Sequence, residues 1–215
     1  MPYVTEKNLP TKTREWLKAI APYNTHPMRL ETKNAALFVI DMQIFFLEEN
    51  APGFTEGGVA VLPNVEKLIS AFRKAKRPVI YTTHGHQDGK MDGGILSWWW
   101  DGMCMEGTPE AEIHPRLAPL KSEKVVRKHR YSAFYNTDLE IVLRCLGIRD
   151  LVITGVMTNC CCETTARDAY MKDHRVFFLA DATGSTTEDL HLATLKTLAY
   201  GFAHVATTQE ILKSL

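Results

Sequence analysis

From Ala35 onward the chain alternates short apolar runs with stretches of helical period, and this alternation constrains the fold more than any other feature. AALFVID (35–41) is a continuous apolar run that ends on an acid. Such a run fits a strand buried on both faces. LPNVEKLISAFRKAK (62–76) follows, with Leu62, Val65, Leu68, Ile69 and Phe72 on one side, the period of an amphipathic helix. PVIYTT (78–83) and KVVRK (124–128) read as the second and third strands. TDLEIVLRCLG (137–147) reads as a helix with Thr137 at its N-cap and Gly147 at its end. DLVITGV (150–156), RVFFLAD (175–181) and HVATT (204–208) complete six strands, with helical stretches at 162–173 and 187–202 and a closing QEILKSL. Strand and helix in turn imply an α/β, three-layer Rossmann-like fold: a six-stranded, mainly parallel sheet with helices on both faces. Open sheets of this kind bind ligands beyond the carboxyl ends of the strands. That rule selects Asp41, His84, Lys128 and the turn after Val156.

Residues 1–34 read as an N-terminal arm, and 35–215 as one domain. The arm holds an amphipathic segment, TKTREWLKAIA, expected to wrap the domain or a partner subunit. The longest region without clear period is 84–123, rich in Gly and Trp, which suits a lid or pocket wall. Lys plus Arg and Asp plus Glu are each 25, so no basic field favours nucleic acid. No run approaches the length of a membrane span, and MPYVTEKNLP lacks the apolar core of a signal peptide. Five cysteines, three of them consecutive, make a poor disulfide framework. A reducing, cytoplasmic home is therefore expected.

The three consecutive cysteines, Cys160, Cys161 and Cys162, lie between a strand and a helix. The start of a helix offers free N–H groups and a positive dipole end, which stabilise a thiolate or a substrate oxyanion. A cysteine further inside the helix would instead be a small core residue. Spacing alone leaves Cys160 and Cys161 both eligible.

GVMTNCCCETTARDA (155–169) resembles the nucleophile segment of the isochorismatase-like hydrolases, G-[hydrophobic]-x-T-x-x-C-V-x-x-T-A-x-D-A. This family includes cysteine amidohydrolases such as nicotinamidases and N-carbamoylsarcosine amidohydrolases. The register places the nucleophile at Cys161; choosing Cys160 would misplace Gly155, Thr165, Asp168 and Ala169 together. VIDMQIFF (39–46) resembles the family's first strand, whose acid is Asp41 here. VVRKHRYSAFYNTDLE (125–140) resembles its lysine segment, with Lys128, in a form similar to the K-x-R-Y-S-A-F of the isochorismatase branch.

The resemblance implies a cysteine hydrolase that cleaves a C–N bond of a small amide or ureido (N-carbamoyl) compound through an acyl-thioester. Asp41, Lys128 and Cys161 would be catalytic, and a cis Val156–Met157 peptide would aim the Met157 and Cys161 N–H groups at the oxyanion. His84, Phe46, Tyr131, Phe134 and Trp98 are the expected substrate contacts, although Trp98–Trp100 serve equally well as a subunit interface. Some nicotinamidases hold a metal at the place of His84 and His86. Here His84 replaces the first acid and Asp92 a further histidine, so no cofactor is expected. A homo-oligomer, dimer or tetramer, is implied. The rival reactions are vinyl-ether hydrolysis by a true isochorismatase, which resembles a pattern with Gly at position 161, and thiol redox sensing.

Overall fold

A computed structural model describes residues 2–215. Six strands form one sheet: β1 (Ala35–Ile40), β2 (Val79–His84), β3 (Lys124–Lys128), β4 (Asp150–Val156), β5 (Arg175–Gly184) and β6 (His204–Ala206). Their spatial order is β3-β2-β1-β4-β5-β6, and every neighbouring pair is parallel. β1 and β4 lie at the centre with every residue buried, which is why each reads as an unbroken apolar run. β3 is an edge strand, and in KVVRK only Val126 and Lys128 are buried.

The helices are α1 (Leu9–Ile20), α2 (Ile44–Leu47), α3 (Glu56–Lys74), α4 (Ile95–Trp99), α5 (Leu139–Cys145), α6 (Glu163–Met171), α7 (Glu188–Gly201) and α8 (Thr208–Ser214). α3 packs on the sheet beside α8, and α6 packs beside α7. The crossovers from β1 and from β4 run in opposite directions across the sheet. Right-handed crossovers therefore put the two helix pairs on opposite faces and open a crevice where the direction reverses, between the ends of β1 and β4. None of the helices among the described residues is long and apolar enough to cross a membrane.

Several boundaries differ from the sequence pattern. α3 begins at Glu56 and runs through Pro63. That proline removes the helical donor for the Val59 carbonyl, but Val59 is exposed, so water can replace it. The two glycines opening α3 mask its start: Gly57 lies against Ser185 and Gly58 against Val156, too close for a Cβ. Asp138, not Thr137, precedes α5, while the Thr137 hydroxyl accepts from the Leu139 N–H at 3.3 Å. β5 extends past Asp181 to Gly184, paired with β4 across an irregularity between Ile153 and Gly155.

Residues 2–34 lie against their own chain. α1 packs on α7 and β5, and its Trp16 and Ile20 join the same core as the strands. The Trp16 indole donates to Glu188 at 2.8 Å, and Lys12 pairs with Glu188 at 3.0 Å. The Trp16 ring also lies against buried His191, centroids 4.4 Å apart. Nδ1 of His191 is 2.9 Å from the Thr158 hydroxyl, in the turn after β4.

The central strands pack tightly at Gly155. Its φ is +112°, and a Cβ there would stand 2.0 Å from the Ile40 carbonyl oxygen. Gly155→Ala is expected to destabilise the fold by about 2–3 kcal/mol. Thermal unfolding checks this, through a Tm fall on the order of 5–10 °C.

Candidate active site

The ends of β1, β2 and β3 and the turn after β4 each contribute a group. Asp41 follows β1, with φ of +48°, a conformation that Asp tolerates better than most residues. Thr82 of β2 fixes it: its hydroxyl donates to Asp41 Oδ1 at 2.6 Å and accepts the Asp41 N–H at 3.1 Å. His84 ends β2, and Lys128 ends β3 directly beside it in the ladder. The peptide leaving β4, Val156–Met157, is cis. Residues Thr158–Cys162 then form one wide turn before α6, because the N–H groups of Cys160 and Cys162 both donate to the Met157 carbonyl, at 3.1 and 3.2 Å. The helix thus opens at Glu163, one residue later than its sequence suggests.

These elements bring Asp41, Lys128 and Cys161 together. The Lys128 ammonium is 2.6 Å from Asp41 Oδ2 and 3.2 Å from Cys161 Sγ. It also reaches the Arg130 carbonyl at 3.1 Å and His84 Nδ1 at 3.4 Å. Asp41 and Lys128 are fully shielded from solvent, and Cys161 is buried with its sulfur beside a cavity. Burial, reinforced by the Asp41 charge, pushes the Cys161 thiol well above its usual pKa, against the pull of Lys128. Burial opposes the charge on Lys128, yet Asp41 and Cys161 together raise its pKa. The arrangement gathers a thiol whose ionisation burial opposes, a carboxyl group and a lysine ammonium around one point.

The cavity above the sulfur has a volume of about 370 Å³. Its walls include Phe45, Phe46, Phe54, Trp100, Tyr131 and Met157, with His84 and His86 at the polar end. No lysine or arginine side chain lines it. Two expected contacts lie elsewhere. Trp98 is 74% exposed and away from the cavity. α4 ends at Trp99, so the chain turns and Trp100 takes the wall, its indole donating to the Tyr131 hydroxyl at 2.9 Å. Phe134 is buried against His174 instead, with rings nearly parallel. Phe54 and Thr186 line the cavity from loops without periodic pattern, and nothing in their sequence neighbourhood marks them. Cys160 also lines the cavity, with burial and then Glu163 raising its thiol pKa to about 11. Cys162 is fully buried and faces the Thr154 carbonyl.

Two clusters hold enough donor atoms to suggest a metal: Asp41, His84 and Cys161, and His86, Asp92 and His129, each within 4.8 Å. His84 and His86 fall into different clusters. The first already surrounds a cation, the Lys128 ammonium. In the second, His129 Nδ1 is 2.6 Å from the Gly85 carbonyl and must carry a proton there. Asp92 Oδ2 accepts the Gln87 N–H at 2.8 Å, and Oδ1 faces His86 Nδ1 at 3.2 Å. In the second cluster His86 and Asp92 therefore face each other, while His129 Nδ1 and Asp92 Oδ2 are engaged by main-chain groups.

A parallel α/β sheet with a thiol, a carboxylate and an ammonium gathered at its switch point has the build of a small-molecule hydrolase. The family model described as the isochorismatase domain matches residues 35–210, and the chain belongs to this hydrolase family. It is 39% identical to nicotinamidase 3 of Arabidopsis thaliana, over 90% of this chain and 94% of that one. It is 32% identical to the ureidoacrylate amidohydrolase RutB of Caulobacter vibrioides, over 88% of this chain and 94% of that one. Among solved structures, a cysteine hydrolase from Pseudomonas syringae superposes with a TM-score of 0.83 at 30% identity, covering 88% of this chain and 97% of that one.

Removing one partner of the buried pair leaves an uncompensated charge. Lys128→Met is expected to cost about 3–5 kcal/mol at neutral pH. The double variant Asp41→Asn/Lys128→Met should recover much of that loss. Paired denaturant melts check the difference; equal loss in both variants would refute the charge argument.

Proposed function

We propose that this chain hydrolyses the C–N bond of small, uncharged carboxamides bearing a flat apolar group, through an acyl-thioester on Cys161. The observation that carries this reading is a sulfur 3.2 Å from a lysine ammonium, itself 2.6 Å from a buried carboxylate, at the floor of an aromatic cavity. Asp41 takes the thiol proton as the sulfur attacks the carbonyl carbon. The N–H groups of Met157 and Cys161 receive the oxyanion. Protonated Asp41 then passes its proton to the leaving nitrogen, the C–N bond breaks and ammonia departs. Water enters, Asp41 removes its proton, and the hydroxide attacks the thioester. Collapse releases the carboxylic acid, and the proton on Asp41 returns to the Cys161 sulfur. Lys128 stays charged throughout and holds the carboxylate in place.

The charge of the cavity separates substrate classes. A wall without Lys or Arg side chains, and with Asp101 in its lining, favours a neutral aromatic amide over isochorismate and ureido acids. The nicotinamidase and the ureidoacrylate hydrolase among its relatives span this same choice. Vinyl-ether hydrolysis needs no thiol, and consecutive cysteines rarely bridge, so the sulfur of Cys161 supports acyl transfer over both rivals. Five free thiols support a reducing compartment such as the cytoplasm. Exposed Met91, Ile95, Trp98 and Trp99 supply an apolar patch suited to a homo-oligomer contact.

A panel of nicotinamide, benzamide, ureidoacrylate and isochorismate, scored for ammonia or acid release, tests the proposal. The neutral aromatic amides should be turned over best. Cys161→Ala should lose about a thousandfold or more in kcat. Retained turnover in that variant would sink the acyl-thioester route.

A further inference from the structure

The second acidic–histidine cluster is joined to the first. Asp92 Oδ1 lies 3.2 Å from His86 Nδ1, His86 Nε2 lies 3.2 Å from His84 Nε2, and His84 Nδ1 lies 3.4 Å from Lys128 Nζ. Proton counting sets a single direction. The Asp92 carboxylate can only accept, and its pKa is held down by the Gln87 N–H and by His86, so His86 carries its proton on Nδ1. Burial keeps His86 neutral, which leaves Nε2 bare to accept from His84 Nε2–H. His84 is also neutral, its pKa pushed down to about 3 by burial and by Lys128. Its remaining nitrogen, Nδ1, is therefore bare and faces the ammonium.

Lys128 needs that acceptor at one stage. Its three N–H groups face four acceptors: Asp41, the Arg130 carbonyl, the Cys161 sulfur and His84 Nδ1. While the sulfur is free, it accepts one N–H. Once the sulfur is acylated it accepts poorly, and a buried ammonium N–H left without a partner is costly. His84 Nδ1 stands within reach of the same ammonium.

We infer that Asp92 and His86 are positioning residues for the reaction: they fix His84 with a bare Nδ1 toward Lys128, which holds the third ammonium N–H while Cys161 is acylated. The inference rests on the acyl-thioester reading of Cys161 and extends it to two residues that touch neither Asp41 nor the sulfur. Asp92 does not line the cavity, so its effect on substrate binding is indirect.

Asp92→Asn is the discriminating change. The Gln87 N–H, at 2.8 Å from Oδ2, keeps an oxygen at that position. The new amide NH2 then faces His86 and donates to Nδ1. His86 must move its proton to Nε2, His84 must move its own to Nδ1, and an N–H then points at the ammonium. Asp92→Ala removes the bias without reversing it. Asn, the closer isostere, is therefore expected to be the worse substitution: kcat on a neutral amide falls by about tenfold to a hundredfold with KM little changed, and Ala falls less. The opposite order would show that Asp92 only supports the fold, and would overturn the inference.

Nitrogen-15 histidine spectra of the full chain without substrate give an independent readout. Bare Nδ1 on His84 and bare Nε2 on His86 are expected, both reversed in Asp92→Asn. A protonated His84 Nδ1 in the unmodified protein overturns the inference. So does activity that EDTA removes and zinc restores, because the cluster would then be a metal site. Failure of the acyl-thioester reading shows separately, as full activity in Cys161→Ala whatever the histidine tautomers are.

Discussion

The Lys128 ammonium sits where water does not reach, 2.6 Å from the Asp41 carboxylate. Neither charge could be held there alone, since an unpaired ion in this environment loses several kcal/mol of hydration. Much of the local architecture satisfies that pair. Thr82 braces the carboxylate, the Arg130 carbonyl accepts from the ammonium, and the Cys161 sulfur and His84 Nδ1 both lie within reach of its remaining N–H. On the proposed reading, the fixed cation lets the thiol stay protonated at rest and pass its proton to a nearby base, so activation of the sulfur would come from this ensemble and not from the helix that follows it.

The sheet order makes this ensemble possible. β1 and β4 are adjacent, so the group ending one and the turn following the other face a common crevice. Lys128 comes from the edge strand two positions away and spans the end of β2 to arrive there. The close approach of β4 to β1 at Gly155 draws the cysteine turn toward Asp41. Aromatic side chains from α2, from the loop beyond it and from the segment after α4 then roof the crevice, leaving an apolar chamber over a charged floor. That shape is what the proposed preference for a flat, neutral amide rests on.

The central strands were legible because a buried parallel strand must be apolar throughout, and Asp41 ends such a run; Lys128 closes the edge strand KVVRK, while β5 runs on to Gly184 and β6 stops at Ala206, neither of which the pattern marks. The cysteine register came from resemblance, since periodicity left Cys160 and Cys161 equivalent. What the pattern hid was hidden for local reasons. The start of α3 carries two glycines and a proline, residues that depress helical signal although tight packing against Ser185 and Val156 explains the glycines. Trp98 and Trp100 are indistinguishable as letters, and only the end of α4 decides which ring faces the cavity. Phe134 reads as a pocket residue because it sits near Lys128 in sequence, yet the chain carries it to His174. The Asp92–His86–His84 chain depends on loop geometry that no spacing rule encodes.

The contact of Trp16 with His191, and of His191 with Thr158, carries a further consequence. Thr158 opens the very bend that presents the sulfur, so the backbone at the reaction centre leans on an indole contributed from the other end of the polypeptide. The opening helix lies outside residues 35–210, which the family model matches, yet it acts as a keystone behind the cysteine turn. Change there would be felt by the chemistry without any residue of the chamber being touched.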